Sequence, residues 1–230
     1  MAKNFRSSDL GESRCSVAVF RLDVRRDLRL APTRRIPVLP SLSPQPFRPH
    51  PIPPDYSDNS ITKEDIFHYI YAILHHPAYR ARYAQNLKRE LPRIPLAPDF
   101  QAFANAGKEL ARLHVHYESL EPWPVEYTER KDVPFSQRVT KMRLSKDRTS
   151  LQVNDSLMLA GIPAQVFEYR LGSKSAVEWI VDQYQVKGES DPNREDDSGY
   201  IVRLVGQVVR VSIETVRIVK SLPSFAPAKS

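Results

Sequence analysis

The stretch ITKEDIFHYIYAILHHPAYRARYAQNLKRE, residues 61–90, sets the architecture. Thr62 stands three residues before Asp65, the spacing of a capping box. Ile66, Ile70, Ile73 and Leu74 then recur at helical intervals, with Phe67, Tyr69 and Tyr71 on the flanks. The helix ends at His75-His76, because Pro77 disfavours helical backbone in the residue before it. Pro77 can itself open a second helix, read here as Ala78 to Glu90 with Tyr79, Tyr83 and Leu87 at i, i+4, i+8. Phe67, Tyr69, Tyr71, Tyr79 and Tyr83 can stack on bases, but at helical spacing among Ile and Leu they read as core.

Downstream, Leu91 to Pro98 is extended, broken by Pro92, Pro95 and Pro98. Asp99 caps a third helix to about Tyr117, with Phe100, Phe103, Leu110, Leu113 and His114 on its apolar stripe. The period then changes. Arg138 to Leu144 alternates like a strand with one wet face. Ser150–Val153 and Ser156–Leu159 flank Asn154-Asp155, which reads as a two-residue hairpin turn with positive φ. Pro163 to Tyr169 is a short turn, and Gly172 is a helix C-cap candidate. Ser173 or Ser175 caps a helix carrying Val177, Ile180, Val181 and Tyr184. After an acidic loop, Tyr200 to Leu222 reads as one helix, although Val208 to Ile213 is β-branched enough for a strand. The expected fold class is α+β: a helical first half, a small antiparallel β element, and further helices at the carboxy terminus.

Upstream the composition shifts. Nine prolines lie between Pro32 and Pro54, which excludes a helix or a central strand there. Residues 1–60 hold ten basic and six acidic side chains and read as a disordered basic tail. The expected domains are therefore the tail 1–60, a folded unit 61–223 and a short tail 224–230. Pro37-Val38-Leu39-Pro40 has PxxP spacing, which a proline-rich tail produces by chance.

The 230 residues suffice for one domain with a real core. The net charge of +7 is compatible with phosphate binding without requiring it. Cys15 is the only cysteine, so neither an intrachain disulfide nor a four-cysteine zinc site can form. A cytoplasmic location is the expectation. No apolar run is long enough to span a bilayer, and residues 1–16 lack a signal-peptide core.

Several blocks, taken in order, resemble the carboxy-terminal specificity region of type ISP restriction–modification enzymes. They begin with residues 61–72, Leu74 to Pro77 and Tyr79-Arg80, followed by Asn86 to Pro95. Gly107 to Leu110 with Leu113-His114 and Tyr117-Glu118 comes next, then Lys141-Met142, Val153 to Asp155 and Gly161 to Pro163. Phe167 to Gly172, Ser175 to Trp179, Asp182 to Tyr184, Ser190 to Asn193 and the Glu214 region complete the series. The resemblance covers roughly residues 58–223. It implies a target-recognition domain detached from the nuclease, ATP-dependent translocase and adenine-N6 methyltransferase with which that family joins it in one polypeptide. The implied partner is double-stranded DNA. Methyltransferase and helicase domains encoded separately are a second implied partner, and a gene remnant a further reading.

Catalytic motifs of the larger enzymes are not found. The sequence has no GxxxxGK[ST] and no Asn-Pro-Pro-Tyr; Pro53-Pro54-Asp55-Tyr56 has the wrong order. Ser60 and Lys63 match SxxK at a helix start, without the companion elements of a serine hydrolase. His68 with His75, and His114 with His116, lack the convergent ligands of a metal site. The expectation is a non-enzyme with no catalytic residue, metal or cofactor.

DNA contact has a physical basis in two groups. Lys141, Arg143, Lys146 and Arg148, with Ser145 among them, surround a strand and turn. Arg and Lys bridge phosphates or fork onto guanine, and hydroxyls bind phosphates. Arg170, Ser173 and Lys174 stand at a helix start, where backbone donors favour an anion. Gln183 and Lys187 follow. The bland alternative for each is a solvated charged face. Arg80, Arg82, Lys88 and Arg89 read as such a face, or as a dock for a missing domain.

Overall fold

The computed structural model describes Tyr56 and residues 58–224, all within one compact unit, Pro53–Ser230. The expectations for residues 1–55 and 225–230 fall outside the described residues.

Helix α1 is Lys63–His75. Thr62 and Asp65 form the reciprocal capping box, and His76 is extended ahead of Pro77, as the proline requires. The buried face is Tyr69, Ala72 and Ile73. The stripe is thus rotated from the expected one: Ile66 and Phe67 are 47% and 56% exposed. Phe67 is a correction to the core assignment of the aromatics. Helix α2 is only Pro77–Arg82, with a 3₁₀ turn at Asn86–Lys88. The expected longer helix buries Tyr79 alone among its residues, too little apolar surface to hold further turns in line. The proline-rich segment is instead pinned by tyrosine hydroxyls. Tyr69 donates to the Pro95 carbonyl (2.6 Å) and accepts from the Ala97 amide (2.7 Å), while Tyr79 donates to the Arg93 carbonyl (2.9 Å).

Helix α3, Phe100–Val115, is capped by Asp99. It crosses α1 so closely that a Cβ on Gly107 would lie 1.8 Å from the His68 carbonyl oxygen. Helix α5, Tyr200–Ser221, is buried on most sides. That burial overrides the strand propensity of its valines, so Val208 to Ile213 is helical. Gly206 lets Pro122 and Trp123 lie against it; a Cβ there would be 2.9 Å from the Pro122 side chain.

Between these helices lies a four-stranded antiparallel sheet in the order β1-β4-β3-β2: β1 Glu126–Glu129, β2 Arg143–Leu144, β3 Leu151–Gln152 and β4 Leu157–Ala160. Leu151, Leu157 and Leu159 face the core. The expected strand from Arg138 is shorter because Asn193 occupies the Val139 backbone: Val139 donates to its Oδ1 (2.7 Å) and accepts from its Nδ2 (2.8 Å). Val139 and Met142 are then both buried, three residues apart, which breaks the alternation.

The β3–β4 hairpin also departs from expectation. The Val153 amide bonds to the Leu157 carbonyl (2.9 Å), leaving a three-residue loop, Asn154-Asp155-Ser156. Neither Asn154 nor Asp155 has positive φ. The Asn154 side chain shapes the turn instead, accepting from the Ser156 and Leu157 amides (2.7 and 2.8 Å) and donating to the Ser136 and Arg138 carbonyls (2.8 and 2.7 Å).

A second hairpin, β5 Arg170–Leu171 with β6 Lys174–Ser175, turns on Gly172 at φ 67°. Gly172 is therefore a hairpin residue and not a helix C-cap. Ser175 caps helix α4, Ala176–Gln183. Among the described residues no helix is long and apolar enough to cross a membrane.

Candidate nucleic-acid interface

The β2–β3 hairpin carries the first group of expected DNA contacts. The Ser145 amide bonds to the Ser150 carbonyl (3.0 Å) and the Arg148 amide to the Ser145 carbonyl (3.0 Å), so the tip is Lys146 to Thr149. Asp147 organises it: Ser145 Oγ donates to one carboxylate oxygen (2.6 Å) and Thr149 Oγ1 to the other (2.9 Å). The Ser145 hydroxyl and the Thr149 amide and hydroxyl hold the Asp147 carboxyl below the usual carboxylate range. The Ser145 hydroxyl is thus committed to the turn. Lys141, Arg143 and Lys146 are exposed and, among the described residues, make no ion pair.

Arg148 has a different environment. Its φ of 61° is the left-handed region, which a side chain tolerates only at a cost. Its guanidinium reaches Glu178 of α4 (3.1 Å) and lies over the Phe167 ring (5.1 Å to the centroid). Burial opposes ionisation of Glu178, but the Ser175 amide and hydroxyl, with the charges of Arg148 and Arg170, bring its pKa below the ordinary value. Arg148 is a strut from hairpin tip to helix.

The second group converges on α4 as well. The helix start expected to hold an anion is already satisfied by Ser175 and Glu178, which form a reciprocal capping box. The Arg170 guanidinium donates to the Ser173 carbonyl. Lys174 pairs with Asp182 and lies over Trp179, 5.6 Å from the ring centroid. Lys187 bonds to the Asp182 backbone carbonyl (3.1 Å), which leaves its charge unneutralised, and Gln183 is exposed at the end of the helix.

Two hydrogen bonds join the segments that carry the two groups. Gln185 donates to the Met142 carbonyl (2.9 Å) and the Val186 amide to the Thr140 carbonyl (3.2 Å). Lys187 therefore follows a segment bonded to the one that leads into Lys141 and Arg143. The sequence reading missed Glu178, Asp182 and Asn193, the residues that hold these segments in place. The Ser175-x-x-Glu178 spacing was a readable signal for the first; the other two act across the chain.

The remaining cluster of titratable groups is internal. His114, 4% exposed, is bonded through Nδ1 to the Tyr71 hydroxyl and through Nε2 to Thr215 Oγ1, both at 2.8 Å. Burial, aided by His75 nearby, lowers its pKa to about 3. A neutral imidazole bridging two hydroxyls is a packed core group. Among the described residues no three His, Cys, Asp or Glu side chains converge to hold a metal ion.

The family model described as the Type ISP C-terminal specificity domain matches residues 17–205. The match begins upstream of Ile61 and ends within α5. Among the solved structures similar to the chain are the following three. A nuclease-deletion mutant of the Type ISP restriction–modification enzyme LlaGI, in complex with a DNA substrate mimic, is 36% identical over 73% of this chain, with a TM-score of 0.65. The ATP-dependent Type ISP enzyme LlaBIII bound to DNA is 30% identical over 75%, with a TM-score of 0.67. A DrdV–DNA complex is 38% identical over 73%, with a TM-score of 0.63. The chain spans only 14%, 12% and 19% of those three chains, respectively. No curated protein sequence matches it.

Proposed function

This chain belongs to the Type ISP C-terminal specificity domain family, and from that premise we propose that it is a sequence-specific DNA-recognition module of a restriction–modification system, with no catalytic residues of its own. Residues 61–223 form the recognition unit and double-stranded DNA is its ligand. The observation that carries the reading is the family match across residues 17–205. The geometry agrees with it. Lys141, Arg143, Lys146 and Lys187 keep exposed charges with no ion pair among the described residues, on the β2–β3 hairpin and a segment bonded next to it. Arg148 ties the hairpin tip to α4, Arg170 and Lys174 pair beside that helix, and Ser145, Ser173 and Gln183 lie in the adjoining turns and helix end.

The test is the salt dependence of duplex binding, measured by fluorescence anisotropy. Phosphate contacts from Lys141, Lys146 and Lys187 give a slope near −2.7 in log K against log salt, about a 40-fold loss from 50 to 200 mM. Lys141→Ala and Lys146→Ala each lower the slope by about one. Unchanged slopes in both variants refute the assignment of these lysines.

A second reading has its own observation. Ile66 and Phe67 are exposed side by side on α1, and the relatives contain far more polypeptide than this chain. The exposed apolar pair suits docking onto separately encoded methyltransferase and translocase domains. Co-purification with such domains, lost in Phe67→Ser, supports it; undiminished co-purification of the variant counts against it.

A further inference from the structure

We infer that the β2–β3 ribbon reads base edges in the major groove, with Arg143 and Gln152 as specificity-determining residues. The inference rests on the DNA-recognition reading above and adds the reading element and its side chains. Strand register carries it. Arg143 lies opposite Gln152, Gln152 opposite Met158, and Met158 opposite Thr128, so the four make one row across the sheet. All four are exposed, while Leu151 and Leu159 of the adjacent row are buried in the core. The row is the solvent-facing side of a sheet whose other face packs on the core, and among the described residues nothing covers it, so it is open to a ligand.

Size then selects the part that can enter DNA. Strands lie ~4.8 Å apart, so the whole row spans roughly 14 Å, more than the ~12 Å major groove. A two-stranded ribbon fits that groove. Because β2 is the sheet edge, the ribbon free to enter is β2–β3, and it carries Arg143 and Gln152. Facing Cβ atoms on paired strands are ~5 Å apart, which suits neighbouring base pairs at their ~3.4 Å rise.

The chemistry matches. An arginine fork donates to O6 and N7 of guanine; a glutamine amide accepts from N6 and donates to N7 of adenine. Arg143 has no ion pair among the described residues. Gln152 spends one N–H on a long bond to the Asn154 carbonyl (3.3 Å), leaving its other N–H and its oxygen available. Lys141 precedes β2 and Lys146 stands at the ribbon tip, so the two bracket β2 in sequence and meet the flanking phosphates. At the far edge of the sheet Glu126 and Glu129 are exposed and repel them, which orients the β2 edge toward the duplex. The ribbon is also preorganised, braced at its tip by Arg148 on Glu178.

The experiment is selection from duplexes with a randomised core, using the full chain, Arg143→Ala, Gln152→Ala and Gln152→Glu. Thermal melts of these surface variants should coincide with the wild type. The wild type should enrich a defined sequence. Arg143→Ala should lose preference at one G·C pair and Gln152→Ala at an adjacent A·T pair, each by on the order of 10- to 100-fold, with other positions retained. Gln152→Glu should move its position toward cytosine, whose N4 donates to a carboxylate. Wild-type preferences in all three variants overturn the inference. So does a wild type that retains duplexes without enriching a sequence, which leaves DNA binding standing. Failure to retain any duplex overturns the DNA-recognition reading itself.

Discussion

Acidification should destabilise the fold through His114 before most carboxylates are protonated. The ring is buried between Tyr71 and Thr215, and its pKa falls from the ordinary 6.5 to about 3. Above pH 6.5 the imidazole is neutral in both folded and unfolded chains, and its contribution is complete. Between 6.5 and 3 only the unfolded chain takes up the proton, so stability falls as pH falls. The slope is ~1.4 kcal/mol per pH unit, or about 2.7 kcal/mol by pH 4.5. Urea unfolding at pH 7 and pH 4.5, on the wild type and on His114→Leu, isolates this effect from other titrations. The variant leaves two hydroxyls without the ring and is less stable at pH 7 by ~1–3 kcal/mol. Its further loss at pH 4.5 should be smaller than the wild-type loss by about 2–3 kcal/mol. Equal losses in the two proteins refute the buried, neutral assignment.

Other perturbations test the scaffold. Gly107→Ala places a Cβ 1.8 Å from the His68 carbonyl oxygen and forces α1 and α3 apart; overpacking of ~1–3 kcal/mol should exceed the ~1 kcal/mol gained in helix propensity, and a raised urea midpoint contradicts the close crossing. Asn154→Ala removes the side chain that satisfies two amides and two carbonyls at a buried turn; a loss of about 3–5 kcal/mol is expected, and a change below ~1 kcal/mol shows that water replaces it. Phe67→Ser, at a site 56% exposed, should alter the unfolding free energy by no more than ~0.5 kcal/mol; a large loss means that Phe67 packs in the core after all.

Local chemistry was legible and long-range bonding was not. Thr62 with Asp65, Pro77 after His76, and Asp99 before Phe100 act within a few residues, and each marks a helix end where the sequence places it. Val139 sits in an alternating run, yet its backbone is taken by Asn193, 54 positions away, and no local pattern encodes that. Asn154 marked a turn correctly for the wrong reason. Its amide side chain does the work that positive φ was expected to do. For the candidate interface, charge and spacing did not separate roles. Arg148 and Arg143 look equivalent in sequence; one is paired with Glu178 and the other faces solvent. Gln152 went unread because its significance lies in register with Arg143.

The most direct test of DNA recognition is anisotropy of a fluorescent duplex titrated with the full chain, first at 50 mM and then at 200 mM salt. The account predicts saturable binding at low salt that weakens about 40-fold across that range. Absence of binding at 50 mM, by a chain that unfolds cooperatively and is therefore folded, contradicts it.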